Sequence, residues 1–318
     1  MSVLLERLAT RIPASVRDLD AIARTACFRY KTYEIPKRSG HGFRTIAQPA
    51  PEVKWIQSVV VEEIISDWPI HSVATAYRKK TSTADHAAMH AKARFLLKLD
   101  FADFFPSIKS ADVAMHVAAY SPHLSPADQR LLVNILTWRN KRTGTQCLSI
   151  GAPSSPFVSN SMMNEFDLQL DLICRKSEVT YSRYADDLAL STNRENVLVD
   201  IFSQIQRLLH RLGYPRLRLN PEKTLNVSKR NHRSLVGLTL TPEGSVSIGR
   251  NKKRLLRSQI HWFSTQQLKA EDEAKLRGML AYVLSVEPVF VARMAKLYGE
   301  DVLARLGVSS SAIQRRSR

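Results

Sequence analysis

Cysteine is scarce. The three present, Cys27, Cys147 and Cys174, are odd in number and widely spaced, which fits neither a disulfide framework nor a zinc-ligand pattern and predicts ordinary reduced residues in a cytoplasmic protein. Long apolar runs are also missing. No stretch approaches the roughly 18 residues that a membrane span needs, and the start Met1-Ser2-Val3-Leu4-Leu5-Glu6-Arg7 is too charged for a signal peptide, so no membrane partner is expected. Repeats and low-complexity tracts are absent, and only the tail from Ser309 to Arg318 reads as loosely ordered. Acidic residues are in deficit: 29 Asp plus Glu face 47 Lys plus Arg, a net charge of +18. Such an excess points to a polyanionic partner, because cations laid on phosphates release counterions and supply most non-specific affinity for nucleic acid. With 318 residues, 44% hydrophobic and 24% charged, the chain is globular and long enough for two or three compact units.

The most informative stretch is Tyr181-Ser182-Arg183-Tyr184-Ala185-Asp186-Asp187-Leu188-Ala189-Leu190-Ser191. It reads as two short β segments joined by a tight turn, with two adjacent carboxylates at the apex. Neighbouring carboxylates repel and Asp is a poor strand former, so the pair is either a solvated turn or a cation site. Two Mg²⁺ ions roughly 3.5–4 Å apart, held by carboxylates, serve phosphoryl transfer by activating the attacking hydroxyl and stabilising the leaving oxygen. That reading needs a third carboxylate. In Phe95-Leu96-Leu97-Lys98-Leu99-Asp100, alternation puts Phe95, Leu97 and Leu99 on one face and Leu96, Lys98 and Asp100 on the other, which would turn Asp100 towards a cleft. The following Phe101-Ala102-Asp103-Phe104-Phe105-Pro106 crowds acid among phenyl rings, a costly arrangement without partners.

At these residues a resemblance emerges. Asp100-Phe101-Ala102-Asp103-Phe104-Phe105 followed by Tyr184-Ala185-Asp186-Asp187 resembles motifs A and C of reverse transcriptases, and Gly151-Ala152-Pro153-Ser154-Ser155-Pro156 resembles motif B, with Ile150 where many relatives have Gln. Read locally, Ser155 caps a long helix with Pro156 in its first turn, and Gly151 permits close backbone approach. Leu219-Asn220-Pro221-Glu222-Lys223-Thr224 resembles motif D. Phe28-Arg29-Tyr30-Lys31-Thr32-Tyr33 and Phe43-Arg44-Thr45-Ile46, a hairpin with Gly40 and Gly42 at its turn, are similar to the fingers of bacterial retron enzymes. So are His86-Ala87-Ala88-Met89-His90, with His86 where Asn is usual, and Ser234-Leu235-Val236-Gly237-Leu238, with Leu235-Val236 where Val-Thr is usual.

The resemblance implies an α+β right-hand polymerase. Its parts would be an N-terminal helical extension (1–28), fingers (29–95), a palm of antiparallel sheet backed by helices with interleaved fingers helices (96–233), and a primer-grip hairpin with a helical thumb (234–318). It implies that Asp100, Asp186 and Asp187 are catalytic and bind two Mg²⁺, with Mn²⁺ as a substitute. Arg44, Phe101, Ala102, Asp103, Phe104, Phe105, Gly151 and Lys223 would meet the nucleotide. Among these, Phe105 would exclude a ribose 2′-hydroxyl and Lys223 would protonate the departing pyrophosphate. Spacing alone leaves Arg44 and Lys223 open to being solvated charges. Arg78, Lys79, Lys80, His90, Lys253, Arg254 and Arg257 are expected on nucleic acid. The family further implies copying of a structured non-coding RNA from dNTPs, priming at an internal 2′-hydroxyl, an RNA–DNA hybrid and a branched single-stranded DNA product. A separate effector protein, host RNase H and a role in phage defence are expected as well. The alternatives are another bacterial reverse transcriptase (diversity-generating, group II intron-like or abortive-infection type) and a silent RNA-binding scaffold.

Overall fold

The structure, a computed structural model, describes residues 2–37, 42–78 and 81–317; Gly40, Lys79 and Lys80 lie outside them. Strands β1 (Tyr30–Pro36) and β2 (Phe43–Pro49) form the expected ribbon, with Glu34 opposite Thr45 and Ile35 opposite Arg44. They are followed by β3 (Phe95–Asp100), the short antiparallel pair β4 (Trp138–Arg139) and β5 (Gln146–Cys147), then β6 (Thr180–Tyr184) and β7 (Asp187–Thr192). After these come β8 (Leu225–Ser228), β9 (Arg233–Leu235), β10 (Leu238–Leu240) and β11 (Val246–Ser247). Four strands make one sheet in the order β6-β7-β3-β8, and three make another in the order β11-β10-β9. An interior strand such as β3 is covered on both sides. Leu96, Leu97, Leu99 and Asp100 are therefore all buried, and the alternation expected of this strand does not appear as one wet and one dry face.

Ser15 caps the helix Val16–Thr25 by accepting from the Asp18 amide, and Ser125 does the same for Asp128 at Pro126–Leu136. That second helix stops before Trp138, which enters β4 instead of continuing the turn. The helix after Gly151 is two helices, Ser155–Met162 and Asn164–Lys176. Ser155 is the first helical residue and not the cap, while of the apolar stripe that the spacing predicts over Met163, Phe166, Leu170 and Ile173 the first three are buried and Ile173 is half-buried. Pro51–Glu63 and Val197–Arg211 are further helices of this part of the chain.

Compactness divides the chain into two units. One comprises Met1–Lys79, Lys98–Leu188 and Asn196–Thr224, with Leu4, Leu19, Val60, Leu132, Phe166 and Ile201 among its buried side chains. The other comprises Lys80–Leu97, Ala189–Glu195 and Leu225–Arg318. Its core joins Ala87, Ala91 and Leu96 to Leu256, Ile260, Leu280 and Leu303 of the C-terminal helices. The tail expected to be loose forms a last helix, Ser310–Ser317. Ile313 is only 8% exposed in that core, and a buried apolar anchor offsets the ordering cost of a short polar segment. No helix of the described residues is long and apolar enough to cross a membrane.

Candidate active site

The Asp-Asp turn rests on a buried ion pair. Arg183, fully buried in β6, donates from Nε and Nη2 to both oxygens of Asp167, its shortest contact being 2.6 Å. Its Nη1 reaches the Asn160 amide oxygen and the Ala185 carbonyl, each at 3.0 Å. Tyr181 donates to the same Asp167 at 2.7 Å. A guanidinium whose Nε, Nη1 and Nη2 all have acceptors, two of them the oxygens of one carboxylate, is the form in which a buried charge is tolerable. The bond to Ala185 holds the turn itself, where Ala185 has a left-handed φ of 57°, a conformation that costs a non-glycine residue about 1 kcal/mol or more.

Asp100, 5% exposed, closes β3 beside this turn. The Phe101 amide donates to the Asp186 carbonyl at 3.1 Å, and the Asp100 carbonyl accepts from the Asn220 amide at 2.8 Å. The backbone thus ties the third carboxylate to the turn on one side and to the Asn220–Lys223 segment on the other. Lys223 Nζ lies 2.7 Å from Asp100 Oδ2. Burial first, then the charges of Asp186 and Asp100, push the Asp187 carboxyl up to about 6. Asp186 is raised by burial and then by Asp100, with Lys223 and Arg44 opposing. Burial works against the charged Lys223, but the hydrogen bond and charge of Asp100, followed by Asp186 and Asp187, raise it.

Among the described residues no three His, Cys, Asp or Glu side chains are drawn into a closed metal-ligand cluster. The donor set nonetheless suits a hard divalent cation, with carboxylate oxygens only and mutual repulsion that an added positive charge would relieve. The Lys223 ammonium on Asp100 shows where such charge is welcome.

The neighbouring residues sort by burial. Phe101 and Phe104 are 1% and 3% exposed and pack at 5.7 Å between ring centroids, so the expectation that they meet a nucleotide is corrected: they are core. Phe105 is half-buried and Asp103 exposed with a left-handed backbone, while the Ala102 amide is taken by the Arg218 carbonyl at 2.8 Å. Arg44 is exposed on β2, close enough for its charge to act on Asp186. Gly151 has φ +122°, and a Cβ there would sit 3.0 Å from the Ala47 carbonyl oxygen. The close approach it allows is thus to β2, whose Ala47 amide donates to the Ile150 carbonyl at 2.9 Å.

Of the residues expected on nucleic acid, Arg254 and Arg257 are exposed on the helix Arg250–Ser264. Lys253 is paired with Glu287 at 2.5 Å and lies over the Phe290 ring. Arg78 donates to the Ser72 and Ala74 carbonyls, and Lys79 and Lys80 are outside the described residues. His90 corrects its expectation: it is fully buried, with Nδ1 2.8 Å from the Ser191 hydroxyl, and burial lowers it to about 3. His86 stacks edge-on against it at 5.8 Å and is equally buried. Sequence reasoning missed Arg183, Asp167 and Asn160. The available signal was an arginine set among the apolar and aromatic residues of a core strand, which demands a buried acid.

The family model described as Reverse transcriptase (RNA-dependent DNA polymerase) matches residues 35–240. The chain is 36% identical over 306 residues to the retron Ec83 reverse transcriptase of Escherichia coli, covering 95% of this chain and 97% of that one. To the retron Ec73 reverse transcriptase of Escherichia coli it is 31% identical over 282 residues, covering 86% and 88%. Among solved structures, telomerase from Candida albicans in complex with the TWJ fragment of telomeric RNA superposes with a TM-score of 0.50 at 13% identity. That match covers 93% of this chain and 61% of that one, a likeness of fold. The family match over more than half the chain and the identity carried along nearly its whole length lead to one assignment: the chain belongs to the retron reverse transcriptases, RNA-directed DNA polymerases that use an RNA template and nucleotide substrates.

Proposed function

We propose that the chain copies a structured non-coding RNA into single-stranded DNA, primed from an internal RNA 2′-hydroxyl, with Asp100, Asp186 and Asp187 as its catalytic carboxylates. The observation that carries this reading is the buried cluster itself, where burial and then the charges of Asp186 and Asp100 lift Asp187 to about 6, because three acids held close enough to oppose one another's ionisation serve no structural purpose. They would hold two divalent ions, Mg²⁺ or in its place Mn²⁺, which when bound lower the pKa of the primer hydroxyl and offset triphosphate and pyrophosphate charge. Lys223, tied to Asp100, is poised to give a proton to the departing pyrophosphate. Arg44 neutralises the triphosphate, Phe105 crowds the sugar 2′ position, and Gly151 keeps β2 and the turn before Ser155 in contact. Arg254 and Arg257 follow the duplex backbone.

In this reading, residues 29–95 are fingers, 96–233 palm and 234–318 primer grip and thumb, after an extension of 1–28. The product is a branched RNA–DNA molecule, trimmed by host RNase H and working with an effector protein in cytoplasmic phage defence; the retron naming of the curated relatives supports it. Asp186→Asn should abolish metal-dependent dNTP incorporation on an RNA template while leaving RNA affinity within about twofold. Undiminished incorporation would place the chemistry elsewhere. Nucleic acid copurified with the protein should contain a 2′–5′ linkage sensitive to debranching enzyme, and a linear product only would remove the priming step.

A further inference from the structure

Residues facing each other across an antiparallel pair share a face. On β1 and β2, Tyr30, Thr32, Glu34 and Thr45 therefore lie on one side of the ribbon, and Ile35 and Arg44 on the other. The side away from Arg44 opens on a cleft of about 810 Å³, whose far wall is the β4–β5 hairpin from Trp138 to Thr143. None of the carboxylate site borders it.

The floor is fixed. Tyr30 and Trp138 pack with ring centroids 6.3 Å apart, the Tyr30 hydroxyl accepts from Gln57 at 2.8 Å, and Trp138 is buried with Ala47 and Cys147. The rim carries a ring in solvent, Phe28 at 45% exposure. Arg139 holds its guanidinium 5.7 Å from the Phe28 ring, and exposed Lys141 and Arg142 follow along the hairpin turn. That turn is built, with Asn140 Oδ1 accepting from the Arg142 amide at 2.9 Å. A merely solvated basic turn would account for the cations but not for a large ring left in water beside them.

Rings that accept base faces, interleaved with cations that follow phosphates, are the composition of a single-strand nucleic-acid platform; a duplex keeps its base faces stacked inside. One feature selects RNA. Glu34 would repel a ligand that offered phosphates alone, but its carboxylate can accept a hydrogen bond from a ribose 2′-hydroxyl, which DNA lacks. We propose that this cleft binds a single-stranded segment of RNA, with a base on Phe28, phosphates on Arg139, Lys141 and Arg142, and a 2′-hydroxyl on Glu34. The site is distinct from the carboxylates, so failure of either assignment leaves the other standing.

The test uses the full chain and fluorescein-labelled oligouridine RNA of about ten nucleotides. Anisotropy is read in excess unlabelled RNA–DNA duplex, which occupies duplex-binding surfaces. Phe28→Ala should weaken binding by about fivefold or more. Arg139→Glu with Arg142→Glu should weaken it more than about tenfold and flatten the log–log salt slope by about 1.4, two phosphate contacts at about 0.7 each. RNA of the same length carrying 4-thiouridine should crosslink within residues 28–34 and 138–143. Arg142 stands on an exposed turn, so Arg142→Glu alone keeps the fold, and single-nucleotide addition to a primer with a one-nucleotide template overhang should be unchanged. Unaltered affinity and slope in these variants, with crosslinks elsewhere, would overturn the proposal. A preference for RNA over the matched DNA that survives Glu34→Ala unchanged would overturn the 2′-hydroxyl contact.

Discussion

A single proton on Asp187 reports the state of the carboxylate cluster. An unfolded aspartate titrates near 4, whereas burial and then Asp186 and Asp100 push this one up to about 6. The folded chain therefore holds an extra proton between about pH 4 and 6, and above 6 it carries the full repulsion, which disfavours folding there. A divalent cation relieves that repulsion and competes with the proton. Calorimetric titration with Mg²⁺ should show affinity rising from pH 5 to 7, with proton release that Asp187→Asn abolishes. Two adjacent phenylalanines should part company in the same way. Phe104→Ala, at 3% exposure, should cost about 3–5 kcal/mol in urea unfolding. Phe105→Ala, half-buried, should cost less and instead raise ribonucleotide use in primer extension. No change in sugar preference would remove Phe105 as the gate.

At the scale of elements, the β6–β7 turn is held from beneath by Arg183 and Asp167. Arg183→Lys keeps the charge but loses the fork that serves Asp167, Asn160 and Ala185 together. Removing one partner of a buried pair costs about 3–5 kcal/mol. Asp167→Asn should therefore lower the unfolding free energy measured in urea by that amount, and Arg183→Lys should slow nucleotide incorporation by a larger factor than the accompanying loss of stability explains. The turn was legible in the sequence because two adjacent carboxylates between apolar arms repel each other at a cost that a bound cation removes. The stripe Met163, Phe166 and Leu170 was legible too, since its period is local, but the same period placed Ile173 in the core and it is only half-buried. The Arg183 support was not legible, because Asp167 and Asn160 reach it only after folding brings two helices under the strand. His90 misled for a related reason. The expectation came from the resemblance of His86-Ala87-Ala88-Met89-His90 to a family element, but whether the His90 side chain meets solvent or Ser191 depends on residues far along the chain.

For the molecule as a whole, buried histidines set the acid limit. Burial lowers His86 to about 4, His90 to about 3 and His116 to about 4, against an unfolded value near 6.5. The unfolded chain thus binds more protons between about 6.5 and 4, so stability is full above 6.5 and falls as pH drops through that window. Three such groups outweigh the opposite slope of Asp187. Melting temperature should decline steadily from pH 7 to 4, and His116→Gln, which can keep a hydrogen bond to Ser161, should flatten the decline.

The second compact unit is assembled from three stretches, Lys80–Leu97, Ala189–Glu195 and Leu225–Arg318. During translation, the helix carrying Ala87 and Ala91 emerges long before Leu256, Leu280 and Leu303, the residues that will cover it. A ribosome stalled past Thr224 therefore presents a sticky, half-clothed intermediate, and no internal start codon can release the second unit free of segments that belong to the first.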